Sequence, residues 1–369
     1  MTKINISGSV YLSSAIAIIL LLMSISIVFP FMNPIKNRND PAIIVTGAYD
    51  SLSDGKGISA KNVNSIIVDE NNVKWFCTDT GIVNFDGKNW TLYEENRNLP
   101  NQDLKGIAYV MNPEGSELWI ASPNGATIVR LPMDDKTNVI NHTPENSSIS
   151  GKNVMSIASG KNSIRWIGTN KGISALLNRG QWLTPSYDIH YPEDMFQEWP
   201  ITSMATNFEG DTLYAGTAGA GVVRVYRDEV DAISGASVYA QWGPIILPSD
   251  NILSVFIAPD GTQWFGTEEG IARHTGNDTL DNWTVYTTDD GLVDNYVQAI
   301  TGDDAGKLWL GTKAGISVFN GTSWISYTTD NGLVSNNILS LAIDHDGIVW
   351  IGTDVGITSY ENGEFTLYY

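Results

Sequence analysis

Residues 336–357 read NNILSLAIDHDGIVWIGTDVGI, and this stretch decides the fold. It opens with an apolar run of strand length, turns at Asp346-Gly347, and enters a second run, IVWIGT. A further turn leads into GITSY, and the chain closes with FTLYY. Four runs of five to seven residues, rich in β-branched and aromatic side chains and separated by turn residues, predict four short antiparallel strands, A to D.

The end of that stretch, WIGTDVGI from Trp350, recurs along the chain. It stands as WFCTDTGI from Trp75, WIASPNGA from Trp119 and WIGTNKGI from Trp166. It returns as YAGTAGAGV from Tyr214, one residue longer, as WFGTEEGI from Trp264 and as WLGTKAGI from Trp309. The seven copies are 44, 47, 48, 50, 45 and 41 residues apart. Twelve residues before the aromatic, Val63, Val154, Ile252, Val297 and Ile338 open strand A; Ile201 and Leu104 do so at thirteen and fifteen. A second aromatic follows the motif at Trp90, Trp182, Trp283, Trp324 and Phe365. One four-stranded sheet cannot bury both faces alone, whereas a ring of seven buries every face and removes the unpaired ends. A period of 40–50 residues with four strands is the signature of a β-propeller. The expected fold is therefore all-β, with seven blades spanning 57–369. The motif Trp should pack between sheets, contributing about 2–3 kcal/mol each. The first Gly should admit a close neighbour, the Thr hydroxyl should bond into the turn, and the second Gly should take a positive φ.

Ring closure is ambiguous in sequence. Tyr49 to Leu52 resembles an extra strand D, as does Phe365 to Tyr369, giving eight candidates for seven places. We expect the C-terminal one to complete its own blade, with 33–56 a tether and accessory strand.

The N-terminus carries different chemistry. After a short tail, 1–9, residues 10–32 contain no charged side chain and centre on AIAIILLLMSISIVF. That length suits one membrane-spanning helix. The run ends in Val28-Phe29-Pro30-Phe31, a poor cleavage site, so an uncleaved anchor is favoured over a cleaved signal. The formal charge of −20 repels phosphate backbones and argues against nucleic acid. The single cysteine, Cys77, permits no internal disulfide and no Cys-based metal site.

Function is best sought where the repeat breaks. The distance from the strand D Trp to strand A is fourteen residues in regular copies and nineteen from Trp182 to Ile201. That D–A connection carries Tyr187, His190, Tyr191, Asp194 and Trp199, and the next one carries Trp242. Exposed aromatic faces beside carboxylates suit sugar binding. A connection that merely covers its blade is the competing reading. The four histidines, His142, His190, His274 and His345, are read as surface residues without a metal role. Asp344-His345-Asp346-Gly347 begins like a calcium loop, but its twelfth position is Val355, so a β-turn is expected. No cofactor or metal is implied, and no catalytic constellation emerges from the spacing.

The pattern N-x-V/I-x-x-I-x-x-D-x-x-G-x-x-W-I-G-T-x-x-G-I, followed by W-x-x-Y-x-x-x-x-G-L, resembles the two-component regulator propeller repeat. The match is nearly complete over 336–357 and 283–300, and extends in weaker form over 57–369. The resemblance implies seven-bladed propellers in the extracytoplasmic sensor half of hybrid histidine kinases, with ligands such as oligosaccharides. This sequence holds one propeller and ends at Tyr369, so the expectation is a membrane-held recognition module without its own kinase. Two alternatives are a scaffold for another envelope protein and an enzyme resembling the streptogramin-cleaving lyases. The latter needs a metal and a catalytic His at the channel mouth.

Overall fold

The computed structural model describes residues 61–93, 103–112, 115–132, 139–160, 164–177, 180–183, 199–207, 209–227, 233–240, 247–276 and 282–368. These residues form seven four-stranded antiparallel sheets, at 65–93, 106–142, 154–183, 201–239, 252–286, 297–327 and 338–368. They are blades 1 to 7 of a β-propeller, and within each the strands pair in chain order. The segment 10–32 and the stretch from Tyr49 to Leu52 lie outside the described residues. Among the described residues, no helix is long and apolar enough to cross a membrane.

The core is divided rather than single. Seven clusters of buried side chains occur, each drawn from two adjacent blades. The motif aromatics sit in these clusters. Trp119, Trp166, Trp309 and Trp350 are at most 2% exposed. Trp309 meets Tyr360 of the next blade at 4.9 Å, and Trp264 meets Phe319 at 6.1 Å, edge to face. The residues opening strand A, among them Val63, Val154, Ile252, Val297 and Ile338, are fully buried.

The remaining motif positions have local reasons. In all seven blades the Thr, or Ser122 in blade 2, donates its hydroxyl to the carbonyl of the turn glycine at 2.8–3.0 Å. The same oxygen accepts an amide N–H from inside the turn, as from Thr80 and Glu269, so one hydroxyl fixes the B–C turn from both sides. The turn glycine takes a positive φ in blade 5, where Gly270 lies at +130°, and a Cβ there would stand 2.7 Å from the Tyr286 carbonyl oxygen.

The ring closes without exchanging a strand. Glu364–Tyr368 pairs with Ile357–Glu361 in its own sheet, as expected for the C-terminal strand D. Blade 7 therefore meets blade 1 through non-covalent contacts. Val63 N–H donates to the Thr353 carbonyl at 2.9 Å, and Ser340 Oγ donates to the Val63 carbonyl at 2.6 Å. Lys74 Nζ pairs with Asp344 Oδ2 at 3.0 Å, with side chains 5% and 0% exposed. Across this seam Trp350 packs against Phe76 and Phe85 at 5.8 and 5.6 Å.

Candidate functional site

One face of the propeller is built from B–C turns and D–A connections. Where the repeat is regular, the connection is a fixed structure. After blade 5, Thr287 caps a 3-10 turn at Thr288–Asp290, and the Asp290 carboxylate returns to the Thr287 N–H at 2.9 Å. Gly291 follows with φ +118°, resting on the Trp324 ring, and Leu292 is buried. Thr328, Asn331, Gly332 and Leu333 repeat this after blade 6. The spacing W-x-x-Y-x-x-x-x-G-L thus encodes a capped turn lying on the next blade.

Blade 4 departs from this plan. Its B–C turn carries the inserted residue, and the described ends of both neighbouring D–A connections, at Pro200 and at Asp250-Asn251, bond to it. Ala218 N–H donates to the Pro200 carbonyl at 3.0 Å. Gly219 and Gly221 donate to the Asp250 carbonyl at 3.2 and 2.9 Å, and Ala218 pairs with Asn251 as an isolated bridge. Trp199 lies over the turn: a Cβ at Gly219 would stand 3.1 Å from its ring. The indole is 37% exposed, one of few large apolar side chains open to solvent among the described residues. Beside it, Asn251 Nδ2 donates to the Glu268 carboxylate at 3.1 Å. Further round the same face, Lys313 Nζ sits over the Tyr296 ring at 3.4 Å, and Gln298 donates to Asn337 at 2.8 Å. An exposed ring face edged by carboxylate and amide groups can stack on a ligand and hydrogen-bond its hydroxyl groups. Of the predicted site residues, Trp199 stands here. Tyr187, His190, Tyr191, Asp194 and Trp242 lie outside the described residues.

The histidine reading needs correction. His274 is fully buried inside strand C, with Nδ1 at 3.0 Å from Gln263 Oε1 and its ring stacked on Trp283 at 4.3 Å. Trp283 and Gln263 close around it because all three share one cross-strand neighbourhood, which linear spacing conceals. His142 also lies in a strand, Val139–His142, half-buried between Trp119 and Trp182 at 5.8 and 5.2 Å. Burial pulls its pKa below the ordinary 6.5. A base whose folded pKa is lowered stabilises the fold above its unfolded pKa, and that contribution is lost as pH falls below about 6.5. We therefore expect the melting temperature to drop between pH 7.5 and 5.5 (both about one unit from that value), and His142→Phe to flatten the drop. Identical slopes for the two proteins would remove His142 from the account. His345 is exposed in an A–B turn, where its N–H donates to Asn72 Oδ1 at 3.0 Å. The Asp344 carboxylate caps that turn through the Asp346 and Ile348 amides, as a β-turn requires. Among the described residues, no group of three His, Cys, Asp or Glu side chains is placed to hold a metal.

Among the described residues, clefts open between blades on the opposite face. One, about 380 Å³, lies between blades 1 and 2 among Trp75, Tyr93, Tyr109 and Glu70. Another, about 290 Å³, lies between blades 5 and 6.

Residues 291–314 and 332–355 match the model of the two-component regulator propeller. Each span runs from the Gly-Leu of the D–A connection, through strands A and B, into the B–C turn. The chain carries the two-component regulator propeller repeat. Its fold is similar to that of the extracellular domain of a hybrid two-component system from B. thetaiotaomicron, at 22% identity and TM-score 0.66. That likeness covers 83% of this chain and 39% of the other, so the propeller-repeat chain spans about two fifths of that domain's length. It is also similar to PorZ, a surface component of the type-IX secretion system of Porphyromonas gingivalis, at 18% identity and TM-score 0.60, over 80% of this chain and 46% of that one. A streptogramin B lyase shares the fold at 15% identity and TM-score 0.59, over 85% and 95% of the two chains. No curated protein sequence matches the chain.

Proposed function

We propose that this chain is a membrane-held recognition module outside the cytoplasm, and that its D–A/B–C face takes a ligand around blade 4. The observation that carries the reading is the convergence at Trp199. The described ends of two irregular connections and the lengthened B–C turn meet there, and an indole face is left open. A propeller core repeats because packing demands it, so departures concentrated at one place point to a task other than packing. The uncharged run 10–32 supports an anchor. The repeat and the likeness to the extracellular domain of a hybrid two-component system support the location and the sensory role. An oligosaccharide is the first ligand class to test, because an indole face with carboxylate and amide neighbours suits it.

The test is a glycan array probed with the full chain in detergent, followed by titration of each hit. Trp199→Ala should weaken binding roughly five- to thirty-fold, about 1–2 kcal/mol. Binding that ignores the substitution would displace the site from blade 4. A pull-down that recovers a stable envelope protein, with an empty array, would replace the sensor reading by the scaffold reading.

A further inference from the structure

The cleft between blades 5 and 6 has a chemistry that the D–A face does not share. We propose that it binds a free α-amino acid with an apolar side chain. This goes beyond the reading of the Trp199 face and does not depend on it.

The cleft exists because of one glycine. Gly302 ends strand A of blade 6, opposite Leu308 in the ladder. The same register position holds Val68, Tyr109, Ser159, Thr206, Ile257 and Ile343 in the other six blades. A Cβ at Gly302 would stand 3.0 Å from Phe256 and 3.4 Å from Leu308, so the larger side chains seen elsewhere would fill the space. The residue has no positive φ, and no backbone geometry demands glycine here. What glycine supplies is room, walled by Phe256, Trp264 and Phe319. At about 290 Å³ the cleft lies at the small end of ligand pockets, roughly 300–1,000 Å³, and suits a single small molecule.

Charge then narrows the ligand. Arg273 lies over the Trp264 ring at 5.7 Å, and its guanidinium has no hydrogen-bond or ion-pair partner among the described residues. Its counterparts opposite the motif aromatic are Asn84, Ile128, Ala175, Val318 and Ser359, with Arg224 in blade 4. Arg224 is committed to Ser237 at 3.1 Å and to the Tyr239 hydroxyl. Arg273 is uncommitted among the described residues, in a chain with 41 acidic residues and 21 basic ones. A guanidinium on an aromatic wall is suited to a carboxylate. Lys307, also at the cleft, sends its ammonium over Trp309 at 4.8 Å and toward Tyr360 of blade 7 at 6.0 Å. The other lining charges are Asp260, Asp303 and Asp304. Asp260 and Asp303 each give one oxygen to a backbone N–H, of Thr262 and Lys307, which leaves the second oxygen as an acceptor. These carboxylates repel a polyanion and attract an ammonium group. A small molecule bearing one carboxylate, one ammonium and an apolar body satisfies all three demands.

The experiment titrates the full chain with L-phenylalanine, read by intrinsic fluorescence and by melting temperature. Saturable binding is expected, weakened at least roughly tenfold by Arg273→Gln and by Gly302→Ile. Phenethylamine, which lacks the carboxylate, and N-acetyl-L-phenylalanine, which lacks the ammonium, should each bind at least roughly tenfold more weakly. Absence of saturation by phenylalanine, leucine or tryptophan at about 10 mM would overturn the proposal. So would binding unchanged in Arg273→Gln, whose side chain faces a solvent-open cleft and leaves folding intact. Equal affinity for N-acetyl-L-phenylalanine would also overturn it, since a peptide C-terminus would then fit as well. Because Trp199→Ala leaves this cleft untouched, failure here and failure on the D–A face remain separate results.

Discussion

Replacing Asp344 by alanine is expected to lower the unfolding free energy by about 3–5 kcal/mol, the cost of stripping one partner from a buried, hydrogen-bonded charge. Asp344 receives four donors. Oδ1 accepts the Asp346 and Ile348 amides at 3.0 and 2.9 Å; Oδ2 accepts Trp350 Nε1 and Lys74 Nζ, both at 3.0 Å. The alanine variant would leave the indole N–H without an acceptor and the buried ammonium with no carboxylate, only the Asn72 carbonyl at 3.0 Å, at the seam between blades 7 and 1. Neighbouring blades elsewhere are tied by the chain itself, whereas this pair is held by side chains and a few backbone bonds. Lys74→Met should cost less, about 1–3 kcal/mol, because Asp344 keeps three donors and the methionine keeps the packing over Phe85 and Trp350. Burial alone would raise the Asp344 pKa, but the Trp350 and Lys74 bonds outweigh it and hold the group below the ordinary 3.8. Its contribution is therefore complete above that value and disappears as the solution is acidified past the folded pKa. Denaturant titration of the two variants at neutral pH decides the matter. A cost below about 1 kcal/mol for Asp344→Ala, a value typical of exposed pairs, would mean that the seam is held by packing alone.

Legibility followed what the blades share. The Trp-x-Gly-Thr pattern gave the blade count and strand order because every interface has the same packing problem, and its hydroxyl bonds the same turn carbonyl in each sheet. Ring closure was less legible. An aromatic run such as Phe365 to Tyr369 specifies a strand, but its partner is set by long-range register, and Tyr49 to Leu52 reads the same way. Trp199 stood out because it breaks the spacing. The lengthened turn at Gly219 that supports it is visible in sequence, but its bonds to Pro200 and Asp250 are not. Gly302 and Arg273 were missed for the opposite reason: each occupies an ordinary strand position. Only the aligned registers show that the other blades fill one position and leave the other uncharged or tied down. His274 was misread because a histidine between Arg273 and Thr275 looks exposed until Trp283 and Gln263 close around it.

The glycine of the motif carries the second large expectation. A Cβ at Gly352 would stand 2.3 Å from Ser340 Oγ, 2.7 Å from Val63 Cγ1 and 2.7 Å from the Val63 carbonyl oxygen. The first neighbour belongs to the paired strand and the other two to the next blade. Gly352→Ala must therefore force the blades apart or distort the ladder, and about 2–3 kcal/mol is expected, near the upper end for overpacking. Blade 2 shows how the fold accommodates a methyl group at this point. Ala121 holds the equivalent place, and its ladder partner is Gly106, where the other blades carry Ser or Ala. The side chain has been moved from one strand to the other. Adding Ser340→Gly to Gly352→Ala reproduces that exchange; it relieves the hydroxyl contact but removes the Ser340–Val63 hydrogen bond across the seam, so the recovery should be at most about 1 kcal/mol. Recovery should stop there, because the Val63 carbonyl is backbone and cannot be trimmed. A double-mutant cycle in denaturant measures both terms. If Gly352→Ala alone proved as stable as the natural chain, the seam would have slack at its tightest contact, and blade spacing would have to be set by the aromatic layer around Trp350 instead.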